Sequence, residues 1–198
     1  IATLSTTNAD KAVQYAQNVS VTDAVAQSTA ATVLSYSAND AVTFAALTDD
    51  IDNLVTNNDS TTGTQVLATG VSSVVSRVTG TITITDADDL TVQEATNAVG
   101  LMTGKTLSYI LSDTAANLAA ATSTVIGNAS AITFSDAATV AQFNTVKAAA
   151  KSTATLTYNL TDTPTALAGA TAANVTAAGT VALKSGSTAT ASEAVTIE

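Results

Sequence analysis

The chain has 198 residues and a net charge of −10, with no Cys, no His, no Trp and a single Pro. Without Cys or His there is no zinc finger, no thiol or imidazole nucleophile and no His-ligated haem. Six basic residues against sixteen acidic ones cannot neutralise a phosphate backbone, and an anionic membrane surface would repel the chain.

Ala and Thr supply about two-fifths of the residues, while only 4% are aromatic. Such a chain must bury many small side chains in a thin, regular core. No apolar run reaches the roughly 18 residues of a membrane span. The chain opens on Ile1 with no basic–apolar leader, as expected of a mature or truncated polypeptide.

From the N-terminus, one five-residue pattern recurs six times: apolar or aromatic, any, apolar, hydroxyl, Asp. The copies are VSVTD ending at Asp23, AALTD at Asp49, ITITD at Asp86, YILSD at Asp113, ITFSD at Asp136 and YNLTD at Asp162. Two residues before each Asp stand Val21, Leu47, Ile84, Leu111, Phe134 and Leu160. Four before stand Val19, Ala45, Ile82, Tyr109, Ile132 and Tyr158. Side chains alternate along a strand, so these two columns share one face, and the hydroxyl before each Asp faces the other way. Each pentad is therefore predicted to be a half-buried strand.

The segment after each Asp reads as helix. DIDNLV follows Asp49, TAANLAAATSTVI follows Asp113 and TPTALAGATAANV follows Asp162, each with a Leu five residues beyond the Asp (Leu54, Leu118, Leu167). DADDLTVQEATNAV from Asp86 and DAATVAQFNTVKAAA from Asp136 resemble each other instead, so two subtypes alternate. Gly100, Gly104, Gly127 and Gly179 are expected to mark the returns to the next strand. The Asp spacings are 26, 37, 27, 23 and 26. The long one implies an insertion of about eleven residues, placed within Asn57–Gly70 where NNDSTTGT reads as loop. The remaining period of about 25 is that of strand–helix solenoids.

An Asp at a strand-to-helix junction is expected to cap the helix that follows it, accepting a free backbone N–H at the positive end of the dipole. Pro164 suits the first helical turn. Two acidic clusters, Asp49, Asp50 and Asp52 in DDID and Asp86, Asp88 and Asp89 in DADD, are the candidate calcium ligands. Neither carries the Gly and distal Glu of an EF-hand or the GGxGxD nonapeptide. No other cofactor is implied. Glycoside chemistry would need basic groups and aromatic platforms beside paired carboxylates. Arg77 is the only Arg, the Lys residues are scattered, and the column position of Tyr109 and Tyr158 makes them core rather than sugar platforms. The sequence reads as non-enzymatic.

The phrases YILSDTAANLAAA, ITFSDAATVAQ and YNLTDTPTALAGATAANV resemble the degenerate repeats of very large secreted bacterial surface proteins, S-layer-like and RTX-adhesin-like, of cyanobacteria and proteobacteria. The resemblance covers roughly 19–179 and lacks the RTX nonapeptide. It implies an extracellular, cell-surface structural or adhesive role.

The expected architecture is an α/β repeat: one right-handed parallel strand–helix solenoid over 1–198, of six to seven coils, with an irregular insertion near 55–75. The tail SEAVTIE reads as an uncapped strand, a pairing edge. The expected function is a structural subunit or segment of a filament, sheath or surface layer, its partner another copy of itself by end-to-end or lateral stacking. The alternative is an adhesin or glycan-binding module of a secreted calcium-dependent surface protein, its partners surface glycans.

Overall fold

The computed structural model describes residues 18–36, 42–57 and 64–197. Within them strand and helix alternate through seven modules. Module 1 holds β1 (Val19–Val25) and α1 (Gln27–Tyr36). Module 2 holds β2 (Val42–Asp50), α2 (Ile51–Leu54), a hairpin of β3 (Val55–Thr56) and β4 (Val66–Leu67), and α3 (Val71–Ser76). Module 3 is β5 (Thr81–Thr85) and α4 (Val92–Leu101), and module 4 is β6 (Thr106–Asp113), α5 (Ala115–Ala120) and α6 (Ser123–Asn128). Module 5 is β7 (Ala129–Phe134) and α7 (Val140–Ala149). Module 6 is an interrupted strand, β8 (Thr155–Thr157) and β9 (Leu160–Asp162), with α8 (Pro164–Ala168) and α9 (Ala172–Thr176). Module 7 is β10 (Val181–Leu183) and α10 (Ala191–Ile197).

The module strands form a six-stranded sheet in the order β1-β2-β5-β6-β7-β8, parallel throughout, and β9 pairs in parallel with β10. A parallel neighbour requires a crossover, and the helices supply it. The register is staggered: Leu47 lies opposite Ile82, Leu111 opposite Ile132 and Leu160 opposite Val181. From β2 onward the residue two before one Asp thus faces the residue four before the next, which places Ser185 at the Asp position of module 7; β1 and β2 pair differently, Val21 opposite Phe44, with a register shift between Val21 and Ala24.

The two subtypes alternate as the sequence indicates. Modules 1, 3 and 5 each carry one ten-residue helix. Modules 4 and 6 instead carry two short helices, the first ending in a residue near extended or turn geometry, Ala121 or Gly169. In modules 3, 5 and 7 the start is fixed by a hydroxyl–x–x–carboxylate or amide box. Glu94 accepts the Thr91 N–H at 2.6 Å, Gln142 accepts that of Thr139 at 2.9 Å, and Glu193 accepts that of Thr190 at 2.9 Å. The insertion predicted near 55–75 is the antiparallel hairpin β3–β4, set between the two short helices of module 2.

Three local expectations are corrected. The tail SEAVTIE is a helix over Ala191–Ile197, because Thr190 and Glu193 form the same capping box as modules 3 and 5. Gly100 lies within α4 and Gly127 within α6; the returns fall at Gly104, with φ of +80°, and at Gly179. Gly80, just before β5, sits so close to module 2 that a Cβ there would meet the Ala45 carbonyl oxygen at 2.2 Å.

The chain divides into two compact bodies, one of 1–87 with 96–108 and one of 88–95 with 109–198. In the first, Leu47, Ile82 and Ile84 of the strands and Ile51, Leu54, Val71 and Val74 of the helices are buried. In the second, Tyr109, Leu111, Ile132 and Leu160 are buried beneath Leu118, Val125, Phe143 and Leu167. All six residues two before an Asp are buried, as the column predicts. Among the described residues, no helix is long and apolar enough to cross a membrane.

Candidate functional site: the joints between modules

Asp49, Asp113, Asp136 and Asp162 lie at or just past the ends of their strands, but none caps its own helix. The cap of α5 is Thr114, that of α7 is Thr139 and that of α8 is Thr163. The carboxylate reaches back to the first residue of the preceding module's helix. Asp49 accepts the Gln27 N–H at 2.7 Å, Asp113 that of Val92 at 2.9 Å, Asp136 that of Ala115 at 2.6 Å and Asp162 that of Val140 at 3.0 Å. The pairing is the cause: Val25 lies opposite Leu47, Leu90 opposite Leu111, Asp113 opposite Phe134 and Ala138 opposite Leu160, so each Asp, two residues further on, is level with the residue where the neighbouring module's helix begins. The N–H groups of a first helical turn have no partner within the helix, and negative charge is favoured there. One carboxylate therefore ties two modules together through backbone.

The second oxygen of the carboxylate serves its own module. Asp49 Oδ1 accepts the Asp50 N–H at 2.9 Å and the Asn53 side chain at 2.7 Å. Asp113 Oδ1 takes the Thr114 N–H at 2.7 Å and the Asn117 side chain at 2.8 Å. The D-x-x-x-N spacing was visible in the sequence and marks the even modules 2 and 4.

Lysines close the other end. Lys105, following α4, donates to the carbonyls of Ser76 at 3.3 Å and Val78 at 2.9 Å, at the C-terminus of α3. Lys151, following α7, donates to the carbonyl of Asn128, the last residue of α6, at 3.1 Å. A cation at a helix C-terminus complements the dipole. The helices of module 4 are held at the front by Asp136 and at the back by Lys151, both from module 5. These lysines look scattered in the sequence because their partners are backbone atoms of another module.

Tyr109 and Tyr158 are core residues with one polar duty each. Their hydroxyls donate to the carbonyls of Val125 at 2.8 Å and Asn174 at 2.7 Å, sixteen residues on in both cases. Burial pushes the Tyr109 phenol well above its ordinary range, against a smaller opposing hydrogen bond with Asn128, and burial raises Tyr158 too. Tyr158 stacks on Phe143 at 4.0 Å, and Phe134 meets its edge at 6.2 Å.

The candidate calcium ligands occupy separate duties. Asp49 is the joint just described, Asp50 caps α2 by accepting the Asp52 N–H at 3.0 Å, and Asp52 lies in that helix. Asp86, Asp88 and Asp89 lie in the loop after β5, Asp89 with φ of +63°. Among the described residues, no three acidic side chains gather so as to hold a metal ion.

The sheet face away from the helices carries hydroxyls in register. Thr48, Thr83 and Ser108 form one row across β2, β5 and β6 in the first body. Ser112, Thr133 and Thr157 form another across β6, β7 and β8 in the second.

Comparison with protein-family models, with curated proteins and with solved structures finds no match to this chain.

Proposed function

We propose that this chain is a non-enzymatic structural repeat protein: a right-handed parallel strand–helix solenoid with coils of about 25 residues, serving in an extracellular filament, sheath or surface layer. Right-handedness follows from the crossover rule for parallel strands. The observation that carries the reading is the recurrence of one joint at four levels, Asp carboxylate to helix-start N–H. Asp49, Asp113, Asp136 and Asp162 with Lys105 and Lys151 hold one module to the next, and the buried Tyr109 and Tyr158 each tie the strand of a module to its own helix. A repeat held by such joints adds length without a new core, which is what a scaffold needs.

The hydroxyl rows favour a second reading, an adhesin that lays its hydroxyl-bearing sheet face on a glycan. Negative-stain microscopy of the purified chain separates the two. Ordered polymers support the structural subunit. Discrete rods that bind a glycan array through the Thr48–Thr83–Ser108 row support the adhesin. Compact particles with neither property refute both, and hydrolysis of an acidic polysaccharide would make the chain an enzyme.

A further inference from the structure

We draw no further inference here: the strongest candidate, the surface patch on the sheet face away from the helices where the exposed Ile110 of β6 lies opposite Ala131 of β7, and Ala131 opposite Thr155 of β8, carries nothing, because nothing in the structure shows what covers it.

Discussion

Replacing Asp113 by Ala removes one acceptor from three donors. The Val92 N–H at 2.9 Å belongs to the preceding module, while the Thr114 N–H at 2.7 Å and the Asn117 side chain at 2.8 Å belong to its own. Loss of a helix-start acceptor costs about 1 kcal/mol per backbone N–H, and the side-chain bond adds about 0.5 kcal/mol, so Asp113→Ala destabilises by about 2.5 kcal/mol. Asp162 holds two backbone donors, Val140 at 3.0 Å and Thr163 at 2.8 Å, and its substitution costs about 2 kcal/mol. Asp136 holds one, Ala115 at 2.6 Å, and costs about 1 kcal/mol. The assay is urea unfolding of the three Ala variants, with amide exchange at Val92, Ala115 and Val140 as the local readout. Each variant should speed exchange most at the amide of the preceding module, twenty or more residues away in sequence. Equal losses, or a largest loss at Asp136, would refute the claim that these carboxylates act through counted backbone donors. Fast exchange confined to each Asp's own helix would do the same.

Tyr109 and Tyr158 resist ionisation because they are buried, so the folded chain keeps them neutral where the unfolded chain ionises. Their stabilisation is complete below the unfolded phenol value of about 10 and declines as pH rises above it; tyrosinate absorbance from these two should appear together with loss of helical circular dichroism, and not before it. Gly80→Ala drives a Cβ into the Ala45 carbonyl and should cost about 1–3 kcal/mol, whereas Gly100→Ala, in open space within α4, should stabilise by about 0.5–1 kcal/mol in the same melts. Glu94→Gln should shift stability by less than about 0.5 kcal/mol while Glu94→Ala costs about 1 kcal/mol, since Gln142 makes the same box in module 5. At the joint of modules 6 and 7, Pro164→Ala and Ser185→Asp should each do little or harm alone. Together they should show a favourable coupling of about 1 kcal/mol in a double-mutant cycle, because only the pair restores both an N–H donor and a carboxylate acceptor.

The strands, their inward columns and the alternation of two module types were legible because each is a pattern of side chains along one segment. Period-two apolar columns at Leu47, Ile84 and Leu111 give the buried face directly. The insertion was legible as an excess in spacing, but its hairpin form was not: Val55–Thr56 and Val66–Leu67 are too short to carry a period. The role of the Asp residues was half legible. Their charge and junction position point to helix-start N–H groups, and that is what they bind. Which helix they bind depends on the stagger between strands, a relation between segments that no single segment encodes. The lysine caps were hidden for the same reason, since Lys105 and Lys151 find carbonyls 27 and 23 residues earlier. The tail was misread because SEAVTIE has β-branched residues, while the box that makes it helical begins at Thr190, just outside the phrase.

A joint built from a side-chain carboxylate and a backbone N–H explains why these repeats can diverge so far without losing register. The donor residue is Gln27, Val92, Ala115 or Val140, four chemically unlike side chains, because the bond ignores the side chain. The same freedom lets a hairpin enter between α2 and α3, as nothing in the joint passes through that loop. Only one residue type is forbidden at the donor position, proline, which has no N–H to give. The chain contains one proline. It is Pro164, at that position of α8, and the following module, alone in the series, has Ser185 where the register calls for Asp. Donor and acceptor are missing from the same joint, and there module 7 is held instead by Thr165 donating to Glu193 at 2.8 Å. A carboxylate at Ser185 would face a proline ring with its charge unanswered, so the two departures from the pattern are physically one.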